Sequence, residues 1–188
     1  MLFRSTGGTY TATDRNDVIT GSAGVDSIAL KAGNDWVEGK GGADLIAGGL
    51  GADTFVYRSA SDSYITSTSS VMDRITDFLP LSQGDRIGVV AVPSKLWNAG
   101  TLSGSSVYST LSAAMTNALA QVGSQSALNG TAVMVSLGTA TYLLVSDNVS
   151  GLGSGDLAIQ LNQQSNADPA NPFNNVGYVN PALVFANV

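Results

Sequence analysis

The sequence predicts a mainly β chain that opens as a solenoid of short stacked turns and ends in a β-rich cap with one amphipathic helix. Three observations predict it. Aspartate recurs every nine residues at Asp17, Asp26, Asp35, Asp44 and Asp53. A large apolar residue follows two places after each: Ile19, Ile28, Val37, Ile46 and Phe55. Beyond residue 85, strand-length apolar segments alternate with turn residues, and one stretch changes to helical spacing.

The repeat is read first, because a fixed period defines the whole architecture. Two places before the aspartates stand Gly24, Gly33, Gly42 and Gly51, with Arg15 the single exception. Five places before stand Gly21, Gly39 and Gly48, with Ala12 and Leu30 as exceptions. In a unit G-G-x-G-x-D-x-U-x the first six residues turn and the last three extend. Glycine accepts positive φ without a Cβ penalty, and the apolar U residue points inward from a very short strand. One unit cannot bury its own U residue, so neighbouring units must stack.

Further on, 56–83 reads as a polar, serine-rich excursion closed by Asp73-Arg74-Ile75-Thr76-Asp77-Phe78. Residues 86–92 read as a buried strand. Between Ser105 and Gly123, the apolar residues Val107, Leu111, Met115, Ala118, Leu119 and Val122 keep a three-four spacing, which predicts a helix. Residues 132–137 and 142–145 predict a hairpin around Gly138-Thr139-Ala140, and 157–161 another strand. An Asn- and Pro-rich tail, 162–180, precedes a final edge strand over 182–185. No Lys or Arg occurs from Leu96 onward. That charge break supports two parts, a roll over 12–65 and a cap over 66–188.

Composition narrows the chemistry. Only 12% of residues are charged while Gly numbers 22, and all 14 acids but Glu38 are Asp. Asp is short, suits turns and ligates hard cations, whereas Glu favours helices. A net charge of -6 without a basic run argues against nucleic acid. No apolar run approaches the roughly 20 residues of a membrane span. With no Cys there is no disulfide framework, so in an extracellular protein metal is the expected clamp. With no His, His-containing zinc sites and the usual general base are absent. The N-terminus shows no signal peptide, which leaves a cytosolic protein or one whose export address lies elsewhere. Residues 1–5 sit outside every pattern described, as the arbitrary start of a fragment would.

The run Gly39 to Val56, GKGGADLIAGGLGADTFV, resembles the RTX (repeats-in-toxin) family of secreted calcium-binding proteins. GADTFVYRSASDS and DRITDFLPLSQGDRI resemble the junction after the repeats in serralysin-type C-terminal domains, alginate-epimerase R-modules and other type I secretion targets. The resemblance covers about residues 12–92. It implies a parallel β-roll in which two nonapeptides make one turn and each calcium ion lies between turns two repeats apart. Asp17, Asp35 and Asp53 would then line one edge, and Asp26 and Asp44 the other. About three ions would lie between 17 and 35, 35 and 53, and 26 and 44. Their ligands would be these carboxylates with backbone carbonyls of the turns at Gly21, Gly24, Gly33, Gly39, Gly41, Gly42, Gly48 and Gly51, a hard-oxygen set suited to calcium.

Asp62 keeps the nine-residue step and, with Asp73 and Asp77, has two readings: a further cation site closing the roll, or turn and cap residues. Asp147 and Asp156, also nine apart, read as a polar hairpin turn in preference to a calcium loop. Lys31 and Lys40 replace the second motif glycine and place positive charge beside the turns, which would weaken affinity. The first repeat, 12–17, is degenerate and reads as a frayed end.

The resemblance implies a calcium-triggered folding and export module that uses a type I (ABC) secretion apparatus and acts outside the cell. The second reading is a surface-layer, adhesin or polysaccharide-binding module. The third is an enzyme. It finds no HExxH, no G-x-S-x-G and no base for a serine, so no catalytic residue is expected.

Overall fold

A computed structural model of the chain describes residues 6–104, 106–121, 131–138, 140–147, 152–161 and 177–188. Short strands follow the nonapeptide register: β1 (Thr9–Thr11), β2 (Val18–Thr20), β3 (Ser27–Ala29), β4 (Trp36–Glu38), β5 (Leu45–Ala47) and β6 (Thr54–Tyr57). Alternate strands go to opposite sheets. β1, β3 and β5 pair in parallel on one side, and β2, β4 and β6 on the other. Two nonapeptides therefore complete one turn of a parallel β-roll. The U residues meet in register, Ile28 beside Ile46 and Val37 beside Phe55, and all four are buried.

The roll reaches one coil further toward the N-terminus than the aspartates indicate. Nine residues before Asp17 stands Gly8, and Tyr10 takes the U position of β1. It also continues past the repeats. After β7 (Tyr64–Ile65) and β8 (Ser70–Val71), which form a small antiparallel pair, β9 (Arg74–Ile75) stacks in parallel on β5. β10 (Arg86–Val89) stacks in parallel on β6. Ile75 and Ile87 sit beside Ile46 and Phe55 as two more buried U residues.

Then come β11 (Lys95–Leu102), α1 (Val107–Gln121), β12 (Thr131–Leu137), β13 (Ala140–Val145), β14 (Leu157–Leu161), β15 (Gly177–Val179) and β16 (Phe185–Asn187). One sheet has nine strands in the order β1-β3-β5-β9-β14-β13-β12-β11-β15; the other has five in the order β16-β10-β6-β4-β2. The main core lies on the inward faces of both sheets and includes Phe55, Phe78, Leu143, Ile159 and Phe185. A second core forms where Leu111, Ala114 and Met115 of α1 cover Val133, Val135, Leu144 and Ala158. The chain is thus mainly β, with parallel roll coils and one helix.

Several sequence expectations shift. The strand placed over 86–92 ends at Val89, and Val90 and Val92 are exposed, since only the span opposite β6 finds a partner. Val107 of the helical stripe is exposed, while the side chains at 118, 119 and 122 lie outside the described residues. The last strand starts at Phe185, because Pro181 opens a 3-10 turn over Pro181–Leu183 whose Asn180 side chain accepts from the Ala182 N–H. β11 has no sequence forecast at all. It runs parallel to β12, a pairing that needs a crossover, and α1 supplies it. Of the 162–180 tail, 162–176 lies outside the described residues.

Candidate metal centre

Each coil turns through a Gly-rich loop into its aspartate, and the aspartates stack along the two edges of the roll. A ladder of side-chain bonds joins them. The Asp17 N–H donates to Asp35 Oδ1, the Asp26 N–H to Asp44 and the Asp35 N–H to Asp53, at 2.7–2.9 Å. The ladder extends at both ends. The Gly8 N–H donates to Asp26, the Asp44 N–H to Asp73 and the Asp53 N–H to Asp85. One edge therefore runs 8-26-44-73 and the other 17-35-53-85.

Asp73 is thus brought into line with Asp26 and Asp44. Asp85 joins the row of Asp17, Asp35 and Asp53 although the nine-residue count never reaches it. The missed signal is Asp-x-U itself: Asp73-Arg74-Ile75 and Asp85-Arg86-Ile87 repeat the local pattern of Asp44-Leu45-Ile46. Asp62 keeps the count yet leaves the row. It sits in a capping box with Ser59 at the start of the 3-10 turn Ala60–Asp62, where its Oδ2 accepts from the Arg58 and Ser59 N–H groups. Asp77 lies beside the row and caps a turn, with one oxygen on the Gly48 N–H and the other on the Gly49 N–H.

In every ladder carboxylate but that of Asp17, which opens its edge, one oxygen is used by the bond to the preceding coil. The second oxygens differ. Those of Asp35, Asp44 and Asp53 are buried without a hydrogen-bond partner. The second oxygen of Asp73 is also buried and faces the hydroxyl of Tyr57. Those of Asp17 and Asp26 accept from Thr13 and Ser22, and that of Asp85 accepts from the Leu79 N–H.

The glycines shape the space around the orphan oxygens. Gly39 and Gly48 pack so closely on Asp44 Oδ2 and Asp53 Oδ2 that a Cβ at either would collide with the carboxylate. A Cβ on Gly21 would lie 2.6 Å from both Asp26 Oδ2 and the Gly39 carbonyl oxygen, and one on Gly42 would lie 2.7 Å from the Gly24 carbonyl oxygen. Gly51 abuts the Gly33 carbonyl in the same way. Carbonyls of one turn therefore approach the turn two repeats on. A Cβ on Gly41 would meet only Ala23, in ordinary contact at 3.8–3.9 Å, so this turn would tolerate it.

Electrostatics follow from this stacking. Burial raises the carboxyl of Asp44 to about 7, that of Asp53 to about 6 and that of Asp73 to about 8, with neighbouring aspartates adding to each. Burial also raises Asp35 and Asp85. Asp17 is lowered by the hydrogen bonds from Thr13. Like charges stacked in rows with unsatisfied oxygens are costly, and a hard divalent cation supplies what is missing. Among the described residues no three acidic side chains converge on one point. Any ion must therefore draw on backbone oxygens as well, which the approaching turn carbonyls provide. The residues fit calcium.

In the last loop, Asp156 Oδ1 accepts from the Asp147 N–H and its Oδ2 from the Gly153 N–H, each at 2.8 Å. Both oxygens are used, as in a polar turn.

Comparison with known proteins bears on the same region. The family described as the RTX calcium-binding nonapeptide repeat matches residues 8–37 and 30–63, in four copies. Among solved structures, the AlgE6R3 subunit of the Azotobacter vinelandii mannuronan C5-epimerase is 28% identical. The match covers 85% of this chain and 72% of that one, with a TM-score of 0.52. The AlgE6R2 subunit of the same enzyme is 22% identical over 82% of this chain and 83% of its own, with a TM-score of 0.47. No curated protein matches the chain. Residues 8–63, then, are RTX calcium-binding nonapeptide repeats.

Proposed function

We propose that calcium binding between the coils drives folding of this module once it has left the cell through a type I (ABC) exporter. One observation carries the reading: Asp35, Asp44 and Asp53 each hold a buried carboxylate oxygen with no partner. An unsatisfied buried polar group costs roughly 1–3 kcal/mol, and more when charged. Where free calcium is scarce, these rows oppose closure of the roll and keep the chain loose enough for a channel. At millimolar calcium outside, weak sites fill and their binding energy becomes folding energy. A site at a hundred times its dissociation constant contributes about 2.7 kcal/mol. In this reading 12–65 holds the ligands and 66–188 closes the end of the roll and carries the export address. The role is one of folding and binding, without a catalytic step. Among the described residues no helix is long and apolar enough to cross a membrane.

The test is far-UV circular dichroism with calcium and then with chelator. The expected result is a β spectrum that forms with calcium and is lost on chelation. A spectrum indifferent to chelator would refute calcium-driven folding.

A second reading is favoured by the likeness to a subunit of a mannuronan epimerase. In it the folded module also holds a polysaccharide for a larger secreted protein. Retention of the calcium-loaded chain on an immobilised uronic-acid polymer would support it, and free elution would remove it.

A further inference from the structure

We propose that the residue four places before each aspartate decides whether a turn takes a cation or is closed by the protein itself. Thr13 and Ser22 then act as built-in substitutes for the ion at Asp17 and Asp26. The proposal rests on the calcium-binding reading above and distributes the ions among the turns.

Five turns can be compared at this position: Thr13, Ser22, Lys31, Lys40 and Gly49. In the first two the side chain folds back on the aspartate. Thr13 gives both its N–H, at 2.8 Å, and its hydroxyl, at 2.6 Å, to Asp17 Oδ2. The Ser22 N–H donates to Asp26 Oδ2 at 2.7 Å, and its hydroxyl lies 3.1–3.2 Å from both carboxylate oxygens. The Gly24 N–H donates to that hydroxyl in turn, so the loop is closed by short local bonds. In the other three the backbone is left-handed, with φ of 76° at Lys31, 69° at Lys40 and 93° at Gly49. There the second oxygen of Asp35, Asp44 and Asp53 is buried with no hydrogen-bond partner.

The two states are mutually exclusive. A hydroxyl and N–H within hydrogen-bond distance of Oδ2 occupy the space and the lone pairs that a cation would use. A left-handed residue with no short hydroxyl leaves both open. Neither lysine ammonium bonds the second oxygen of its aspartate, which stays without a partner, and glycine has no side-chain donor. One edge of the roll thus opens with a closed turn at Asp17 and the other with a closed turn at Asp26. The cation-taking turns lie inside, at Asp35, Asp44 and Asp53.

The test is calcium titration calorimetry of the full chain, with stoichiometry as the readout. The second measurement is the stability in chelator, taken as the urea midpoint or, where the chelated parent lies below its midpoint, as the fraction folded. Lys40→Ser supplies the missing hydroxyl and is expected to bind one ion fewer than the parent while losing no stability in chelator. Lys40→Gly is expected to keep the parent stoichiometry. Ser22→Gly removes the closing hydroxyl and gives this turn the residue that stands four places before Asp53, so it is expected to bind one ion more than the parent and to be less stable in chelator. A parent-like ion count in folded Lys40→Ser, or a parent-like or lower count in Ser22→Gly, would overturn the proposal. Ser22→Gly decides the matter alone if Lys40→Ser fails to fold. A parent chain that binds no calcium would remove the proposed function itself, and this inference with it.

Discussion

Replacing Asp44 by asparagine separates the cost of its charge from the value of its bond. Asn keeps the shape and the Oδ1 acceptor, so the 2.8 Å bond from the Asp26 N–H survives. What disappears is a buried charge whose carboxyl is pushed up to about 7, with burial the largest cause. At about 1.4 kcal/mol per pKa unit, holding that charge in the cation-free fold at pH 8 has a ceiling of about 4 kcal/mol. Solvent screening brings it to the order of 1–2 kcal/mol. Asp44→Asn should therefore be more stable than the parent in chelator at pH 8, by about 1–2 kcal/mol. In saturating calcium it should be less stable, by about 2–3 kcal/mol, because one ion loses its carboxylate. The assay is urea unfolding followed by circular dichroism in both buffers. Where the chelated parent lies below its midpoint, the fraction folded replaces the midpoint. A change of the same sign in both buffers would refute the assignment of Asp44 Oδ2 to a cation.

The pH dependence carries its own sign. Asp44, Asp53 and Asp73 are raised in the fold to about 7, 6 and 8, so in chelator their contribution is full below 3.8 and is lost as pH rises through about 6–8. Thermal midpoints in chelator should fall from pH 4 to pH 8, and a rise over that range would contradict the burial argument. Lys31→Gly and Lys40→Gly relieve left-handed backbone at φ of 76° and 69°. Each should stabilise the calcium-loaded chain by up to about 1 kcal/mol, partly offset by the freer unfolded chain, as measured by urea unfolding. Gly48→Ala drives a methyl into Asp53 Oδ2 and should weaken calcium binding at least about tenfold by titration. Unchanged affinity would show that this oxygen takes no ion.

The sequence made the interior of the roll legible because its code is local. Glycine permits the turn, Asp-x-U sets the strand, and the period counts the coils. Legibility ended where the count broke. The steps from Asp44 to Asp73 and from Asp53 to Asp85 are 29 and 32 residues in place of 18, so looped-out segments hid two coils whose local Asp-x-Ile signature was intact. Asp62 held the count and lost the role, since Ser59 offered it a helix cap and its flanking residues gave no turn glycine. The Gly8 coil escaped notice because glycine stands in the aspartate slot. β11 was hidden because its pairing with β12 is set by distant residues and by α1, which no local alternation records.

The ladder has a direction. Every rung is an amide hydrogen on an earlier coil held by an oxygen on a later one. Clipping away the front of the roll merely releases a carboxylate to water, which hydrates it readily. Clipping away the rear takes a carboxylate acceptor from the last amides and uncovers Ile46 and Phe55, which Ile75 and Ile87 had covered. A protease nibbling from the front should therefore find a module that shortens gracefully, and one cutting near Asp73 or Asp85 should find a module that comes apart.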